Sequence, residues 1–258
     1  MTAPALRVYE VHVRAYRRVW RGSVISTFFS PVLFLLAMGI GLGQLVDANG
    51  GSESLGAVSY LVFLAPGLLA ATTMQTGAGD SAWPVMLGVK WAKTYDAALA
   101  TPVRTDDLVY GHLLWVTTRL LLVAVVFTIV MAFFGAVSMP WGILAIAPAV
   151  LTGLAFAAPV LAFTAQLKNE TGLTAMFRFG ITPLFLFSGT FFPVSQLPDW
   201  MEPFAYLTPL WHGVVLTRSI ALREPTALAW WVHASYLVGL VIVGTLLARR
   251  NLAKRLRS

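Results

Sequence analysis

The sequence predicts an all-α integral membrane protein with six transmembrane helices, and three observations lead to that prediction. Of the 258 residues, 58% are hydrophobic and only 11% are charged, whereas soluble domains carry roughly 25% charged residues. Apolar stretches of about 20 residues, the length that crosses a bilayer, recur along the chain. These stretches are uniformly apolar and lack the alternating pattern of barrel strands. A lipid bilayer is therefore expected to supply part of the solvent.

The predicted spans follow from the uncharged windows. The longest uncharged run, Leu120–Leu167, has room for two spans, and the turn Ser138-Met-Pro-Trp-Gly142 divides it because it is rich in helix breakers. No internal repeat is visible, so residues 1–258 are predicted to form one transmembrane domain. The six spans are placed at about residues 23–46, 58–83, 112–136, 142–167, 173–192 and 226–248.

The distribution of basic residues orients these spans. Of the 18 Lys and Arg residues, all but Arg119, Arg218 and Arg223 fall in the two terminal segments or near the loops after the second and fourth spans. In a six-span chain these segments and loops all lie on one side of the membrane. Basic loops stay in the cytoplasm, so both termini are predicted to be cytoplasmic in a multi-pass protein of the inner (plasma) membrane. The net charge of +7 then indicates contact with membrane lipids rather than with nucleic acid.

The N-terminal arm, residues 5–22, has the pattern of an amphipathic helix at the membrane interface. Tyr9, Val13, Tyr16 and Trp20 recur at helical spacing. A basic surface accompanies this apolar stripe, as is typical of helices that lie in the headgroup region. Its arginines include Arg14, Arg17, Arg18 and Arg21. Alternatively, these arginines only fix the topology.

A short cytoplasmic helix of about ten residues is predicted at 90–100, between the second and third spans. Its Ala and Leu residues favour a helix, and Thr101-Pro102 should end it. Trp91 and Tyr95 are aromatic residues of the kind that anchor protein interfaces. The segment is therefore either a plain linker or the contact surface for a cytoplasmic partner.

Three charged residues lie in or near the apolar windows, namely Asp80, Arg119 and Arg178. Charges in a membrane are costly and are often functional. They either reach the headgroups or pair with each other, or they take part in transport or gating. The four histidines have no metal-ligand spacing, and no pair of acids suits catalysis. No metal site and no catalytic residue is predicted.

The segment between the fifth and sixth spans is long and apolar. Its residues 197–222 are predicted to form a re-entrant helical hairpin on the extracellular side. The first helix should start at Pro198, and the second should have Thr208 as N-cap with Pro209 in its first position. The 15-residue uncharged window 203–217 is too short to span a bilayer. The alternative is an apolar surface loop.

Two motifs show a family resemblance. Phe-Ser-Gly-Thr-Phe-Phe-Pro-Val with Pro-Leu-Trp-His-Gly-Val, within 185–222, and Thr-Tyr-Asp-Ala-Ala-Leu-Ala-Thr-Pro-Val, at 94–103, are similar to the permease subunits of type-2 ABC exporters of nodulation factors, drugs and lipo-oligosaccharides. The resemblance implies a homodimer of permeases that works with two copies of a cytoplasmic ATPase subunit. It also implies outward movement of an amphiphilic drug or lipid-linked oligosaccharide through the dimer interface.

The resemblance also implies site residues. The 90–100 helix would be the coupling helix that sits on the ATPase, and residues 5–22 would be the interfacial connecting helix. The coupling residues would be Lys90, Trp91, Thr94, Tyr95, Asp96, Thr101 and Pro102. The extracellular gate would contain Gly189, Phe191, Phe192, Pro193, Pro198, Pro209 and Trp211.

The sequence has no phosphate-binding Gly-x-x-x-x-Gly-Lys-[Ser/Thr] loop. The chain is thus predicted to bind no cofactor and to be no enzyme, with ATP and Mg²⁺ bound by the partner. A proton-coupled secondary transporter that uses Asp80 and Arg119 is the main alternative. A membrane-embedded enzyme and a passive channel are further alternatives.

Overall fold

The computed structural model describes residues 4–50, 55, 58–226 and 228–256, and its regular structure within those ranges is helical. Part of the predicted loop after the first span, residues 51–54, and the basic residue Arg257 lie outside the described residues. The helices are α1 (Pro4–Phe34), α2 (Gly43–Ala48), α3 (Tyr60–Met86), α4 (Thr94–Leu99), α5 (Thr105–Phe133), α6 (Met139–Thr164), α7 (Thr171–Met176), α8 (Thr182–Phe187), α9 (Glu202–Tyr206), α10 (Pro209–Leu222) and α11 (Trp230–Arg255).

Three widened π-helical segments join or extend these helices. They cover Leu35–Leu42 between α1 and α2, Leu87–Trp91 after α3, and Phe177–Ile181 between α7 and α8. Each lies within a few residues of a proline, namely Pro31, Pro84 or Pro183. Proline lacks an N–H and removes one bond of the regular helical ladder, which favours such a local change of pitch.

Five helices within the described residues are long and apolar enough to cross a membrane. They cover Pro4–Ala48, Tyr60–Trp91, Thr105–Phe133, Met139–Thr164 and Trp230–Arg255. The predicted fifth span, 173–192, corresponds to the shorter apolar helix Thr171–Phe187. This helix ends five residues before the predicted boundary because Gly189 has a φ of +79°, a left-handed conformation that commonly ends helices.

The first helix differs from the prediction of an interfacial helix followed by a separate span. Residues 5–22 and the start of the predicted span at 23 belong to one helix, α1, which continues through the π-helical segment to Ala48. Gly22 is the weakest helix former at the expected junction, but a single glycine does not break a helix. The two predicted elements therefore share one axis at that junction.

Helix α6 is the centre of the bundle and packs against α3, α5, α10 and α11. Three of these neighbours approach it through a glycine. Gly77 of α3 lies against the backbone of Gly153, and Gly213 of α10 lies against Thr152. Gly244 of α11 faces the backbone at Pro159, where an added Cβ atom would lie 2.6 Å from the Pro159 nitrogen. Small residues let membrane helices come into close backbone contact.

The two ends of the bundle differ in composition. At one end, which we call the basic end, Val8, Tyr95, Leu108, Leu161 and Leu252 form one apolar cluster. This cluster brings the first and last helices together with α4, so both chain ends lie on the same side. At the other end, which we call the hairpin end, a separate cluster is formed by Val194, Leu197, Ala205 and Trp211.

Replacing Gly77 with alanine should destabilise the bundle. The new Cβ would collide with the Gly153 carbonyl, and backbone atoms cannot rotate away as a flexible side chain can. We expect the free energy of unfolding to fall by about 1–3 kcal/mol. Thermal unfolding of the detergent-solubilised protein measures this change.

Gly79→Ala is the matched control, since Gly79 lies two residues further along α3 and has no atom within 4 Å of its added Cβ. That variant should unfold at or slightly above the wild-type temperature, because alanine favours helix by about 0.5–1 kcal/mol relative to glycine. Equal midpoints for the two variants would contradict the close contact on α6.

Candidate functional site: two polar ends and an apolar cavity

Asp80 and Arg119 lie together at the contact of α1, α3 and α5. The Arg119 Nε atom is 3.3 Å from Asp80 Oδ2, and its Nη1 donates to Tyr16 Oη at 3.0 Å and to Ser23 Oγ at 2.8 Å. The guanidinium also lies over the Tyr16 ring, 4.9 Å from its centroid. The structure thus pairs two of the three charges in the apolar windows. Arg178 is exposed and makes no ion pair among the described residues.

The aromatic stripe of the N-terminal arm packs against protein. Tyr9 and Tyr16 lie with their ring centroids 6.4 Å and 5.3 Å from that of Trp115 on α5, and Thr118 donates to the Tyr9 hydroxyl at 3.3 Å. Trp20 remains 48% exposed. On the surface of the same helix, Arg14, Arg17, Arg18 and Arg21 are exposed. The apolar face therefore serves helix packing, and the arginines face the surroundings.

The predicted coupling segment is shorter as a helix than 90–100. Lys90 and Trp91 belong to the π-helical end of α3, and Lys93 has a φ of 48°. This left-handed residue redirects the chain into α4, Thr94–Leu99. The chain leaves the helix just before Thr101-Pro102, where the Thr101 hydroxyl donates to the Ala98 carbonyl at 2.6 Å.

Tyr95 and Trp91 have different surroundings, although the sequence treats them alike. Tyr95 is only 7% exposed and packs against Gly88, so it attaches α4 to the bundle. Trp91 is 50% exposed. Four other residues predicted to contact the ATPase are also exposed, namely Thr94, Asp96, Thr101 and Pro102. The exposed surface is thus made by Trp91 and polar residues, and Tyr95 is its internal support.

Lys90 connects this segment to the start of α7. Its Nζ atom is 3.2 Å from Glu170 Oε2. Hydrogen bonds from the backbone N–H of Glu170 and from the Lys90 ammonium lower the pKa of Glu170. The carboxylate is therefore ionised at neutral pH and can hold the ammonium, although water screens so exposed a pair.

At the hairpin end, α9 begins at Glu202, four residues after the predicted start at Pro198. Residues Pro198–Met201 form a turn closed by the Met201 N–H, which donates to the Pro198 carbonyl at 2.8 Å. Helix α10 has Thr208 at its N-cap and Pro209 in its first turn, and the Thr208 side chain accepts from the Trp211 N–H. Trp211 is buried, with its ring 4.8 Å from that of Tyr206.

Arg218 is a residue of this end that the sequence reasoning missed, since it was counted only as a basic residue outside the cytoplasm. Its Nε donates to the Phe63 carbonyl at 3.1 Å, and its Nη2 donates to the Gly189 carbonyl at 3.0 Å. The guanidinium also lies 3.8 Å from the Phe63 ring centroid. One side chain of α10 thus ties α3 to the turn after α8. Its position at the end of the uncharged window 203–217 was the available signal.

A pair of buried histidines also joins the last two helices. His212 of α10 and His233 of α11 have their Nδ1 atoms 2.8 Å apart, the distance of a hydrogen bond. Both are buried, and His212 stacks on Tyr236 with ring centroids 4.2 Å apart. Among the described residues, no group of three or more His, Cys, Asp or Glu side chains could hold a metal ion.

An apolar cavity of about 750 Å³ lies between the first helix and the segment after the π-helical turn at Phe177–Ile181. One wall is made by the stretch from Phe34 to Val46. The facing wall contains Phe185, Phe187, Phe191 and Phe192, with the amide of Gln196 among the few polar groups. Two predicted gate residues, Phe191 and Phe192, therefore line this cavity, while Pro193 lines a smaller cavity with Arg218.

These features define the general class of the chain. Within the described part of the chain, five long apolar helices form a bundle that has charged pairs at its ends and a cavity lined by phenylalanines. These features describe a multi-pass α-helical membrane protein. The apolar cavity within such a bundle is of the kind that accepts an apolar ligand.

Comparison with known proteins gives the family. The family described as ABC-2 type transporter matches residues 8–222. Nodulation protein J of Rhizobium leguminosarum bv. viciae is 30% identical over 252 residues, which cover 96% of this chain and 95% of that protein. Nodulation protein J of Sinorhizobium fredii is 29% identical over 85% of this chain and 82% of its own length. The inner membrane transport permease YadH of Escherichia coli is 23% identical over 79% of this chain and 77% of its own length.

The chain belongs to the ABC-2 type transporter family. It is a permease, the membrane subunit of an ABC transporter. Such a subunit lacks an ATPase site of its own, and the family implies an ATPase partner.

Replacing Arg218 with alanine should loosen the turn after α8, because the Phe63 and Gly189 carbonyls would lose their donor. We expect a loss of about 1–3 kcal/mol in the free energy of unfolding. The chain has no cysteine, so a single Gln196→Cys substitution reports on this region through its rate of maleimide labelling. That rate should rise when Arg218→Ala is added.

Arg223→Ala is the control, since Arg223 is exposed and follows α10 directly. It should leave the labelling of Gln196→Cys unchanged. If Arg218→Ala also leaves both the labelling rate and the unfolding midpoint unchanged, Arg218 does not hold the turn.

Proposed function

We propose that this chain is the permease of an ATP-driven exporter that moves an amphiphilic substrate, a drug or a lipid-linked oligosaccharide, outward through the interface of a permease homodimer. The observation that carries this proposal is the phenylalanine-lined cavity of about 750 Å³ between Phe34–Val46 and Phe185–Phe192. An apolar wall stabilises an acyl chain or a drug ring system by removing it from water. It offers little to a small charged solute.

The basic end is the cytoplasmic end in this proposal, and the membrane is the inner (plasma) membrane. The asymmetry of Lys and Arg in the sequence supports this orientation. The relative YadH bears a name that places it in an inner membrane. Helix Thr171–Phe187, with the turn that follows, acts as the fifth of six spans. Its length of about 17 residues is slightly short, which is compatible with local bilayer thinning.

The surface made by Trp91, Thr94, Asp96, Thr101 and Pro102 is the contact for the ATPase, of which two copies bind ATP and Mg²⁺. Its exposure supports this role, and the burial of Tyr95 gives the surface a firm connection to the bundle. When the two ATPases close on ATP, they move both α4 segments. The permeases then change between two packings, one open inward and one open outward.

The hairpin end forms the extracellular gate. The uncharged window 203–217 is too short to cross the membrane, and α10 packs against α3 and α6. Both observations support a hairpin that re-enters the membrane under protein cover. Gly189 supplies the turn, and Phe191 and Phe192 place aromatic rings in the cavity. If the turn at Gly189 separated from Arg218, the cavity would open at the hairpin end.

Asp80 could serve the alternative of proton-coupled transport. In the structure its carboxylate is next to Arg119, which also binds Tyr16 and Ser23. These contacts join α1, α3 and α5 through one pair of side chains, which gives Asp80 and Arg119 a structural role that needs no repeated protonation.

The proposal is tested in inverted membrane vesicles that contain the permease and its ATPase. We expect ATP-dependent uptake of a fluorescent amphiphilic drug or acyl-chain lipid, which corresponds to export in the cell. An ATPase whose phosphate-binding lysine is replaced should abolish it. Uptake driven by a proton gradient without ATP, and lost in Asp80→Asn, would support the alternative and contradict our proposal.

Filling the cavity gives a sharper prediction. Leu42→Trp places an indole among the phenylalanines of the cavity and should lower transport of the fluorescent amphiphile about tenfold or more, the effect of blocking one binding pocket. Basal ATP hydrolysis should remain, because the ATPase contact lies at the opposite end.

Ile242→Trp serves as the control, since Ile242 is 54% exposed on α11 and does not line the cavity. It should transport like the wild type. Normal transport by correctly folded Leu42→Trp would show that the substrate does not pass through this cavity.

A further inference from the structure

The last helix, α11, makes polar contacts at the basic end that the proposed mechanism has not yet used. Arg249 forms a two-pronged ion pair with Asp106, with Nε 2.9 Å from Oδ1 and Nη2 2.7 Å from Oδ2. Asp106 lies in the first turn of α5, immediately after the loop that leaves α4. The pair therefore joins the last helix of the chain to the exit of the ATPase-contact segment.

Two further side chains of the same helix end hold the neighbouring loop. Asn251 donates from Nδ2 to the Ala162 carbonyl at 3.0 Å, and Arg255 donates from Nη1 to the Leu167 carbonyl at 2.7 Å. Ala162 lies in the last turn of α6 and Leu167 lies just beyond it. The end of α11 is thus fastened both to α5 and to the end of the central helix.

Apolar packing fixes the register of this helix end. Ala248 and Leu252, on either side of Arg249, are buried in the same cluster as Tyr95 and Leu161. Tyr95 is the residue that anchors α4. Arg249 is therefore held at a defined position along the axis of α11, beside α4. Its planar guanidinium can then fix the orientation of the Asp106 carboxylate.

The pair is suited to holding an angle more than to adding stability. The side chains of Arg249 and Asp106 are 35% and 33% exposed, so water screens their attraction. A two-pronged contact, however, resists rotation of one helix against the other, which a single hydrogen bond does not. The Tyr110 ring, 5.5 Å from the Arg249 guanidinium carbon, gives that group a second support.

At the hairpin end the same helix contacts the proposed gate. His233 of α11 faces His212 of α10, and the Tyr236 hydroxyl donates to the Leu207 carbonyl at 2.7 Å. Helix α11 has 26 residues, which correspond to about 39 Å at the rise of an α-helix. One continuous helix therefore contacts both the region of the ATPase-contact segment and the hairpin.

We propose that Arg249 is a positioning residue for energy coupling, which through Asp106 makes the α4–α5 junction and the last helix move as one body. The inference rests on the proposed function and adds a route from the ATPase contact to the hairpin. Without the pair, a push on α4 bends the loop at Arg104 instead of moving α11. ATP is then hydrolysed without a matching amount of transport.

The test compares Arg249→Gln, Asp106→Asn and the double variant in proteoliposomes with the ATPase partner. Each single variant should lower the number of fluorescent amphiphile molecules moved per ATP by about threefold to tenfold. Assembly with the ATPase and basal hydrolysis should stay within about twofold of the wild type, as expected for residues outside the contact surface. The double variant should be no worse than either single variant.

Two variants serve as controls. Arg250→Gln removes the adjacent exposed arginine of the same helix end and should leave the transport-to-ATP ratio unchanged. Arg249→Lys keeps the charge but loses the two-pronged geometry, and should give an intermediate ratio. A wild-type ratio for Arg249→Gln, or losses in the single variants that multiply in the double variant, would overturn the proposal.

A distance measurement separates this inference from the proposed function. Because the chain has no cysteine, spin labels can be placed at Ala97→Cys and Lys254→Cys, both of which are exposed. Arg249→Gln should broaden the distance distribution between them, and Arg250→Gln should not. Absence of ATP-dependent transport by the wild-type complex refutes the proposed function, while an unchanged distribution in Arg249→Gln refutes the positioning role.

Discussion

The close approach of helix backbones to α6 is the constraint on which the rest of the structure depends. Lipid tails are as apolar as leucine, so burial of apolar area alone gives little drive for helices to associate within a bilayer. Dispersion contacts must then be made at short range. Gly77, Gly213 and Gly244 provide such contacts from three different helices. Helix α6 has no ionisable side chain, and its two threonines donate to carbonyls of the same helix, so its contacts with the neighbouring helices are mainly apolar.

The charged groups lie at the periphery of that core, where they hold neighbouring segments in a defined relative geometry. Asp80 and Arg119 join three helices near one end, and Arg249 and Asp106 join the last helix to the start of α5. Arg218 binds backbone carbonyls at the other end. Such pairs define directions and distances, whereas apolar contacts bring the helices together and set their register. A bundle built in this way has a rigid centre with polar fasteners at its ends, which suits a permease whose ends are proposed to move.

The cavity is a consequence of the same arrangement. The first helix lies beside α5 through Tyr9, Tyr16 and Trp115 at its start. Its later part, from Phe34 to Val46, faces the segment Phe185–Phe192 across the cavity, and the Phe34 and Phe185 rings meet at one edge with centroids 6.3 Å apart. The π-helical segments at Leu35–Leu42 and Phe177–Ile181 adjoin both walls. Local changes of pitch there alter which side chains face the cavity, so these segments are natural places for the two walls to adjust.

The sequence by itself determined the apolar helices and the local signals at their ends. Composition required a bilayer, and the pattern Thr208-Pro209 placed the start of α10 because capping depends only on neighbouring residues. The tertiary structure decided the continuity of α1, the burial of Tyr95 and the partners of Arg218 and Arg249. Those outcomes depend on contacts between residues far apart in the chain, such as Asp106 with Arg249. Hydropathy and propensity describe only the residues within a window, so they cannot specify which helix faces which.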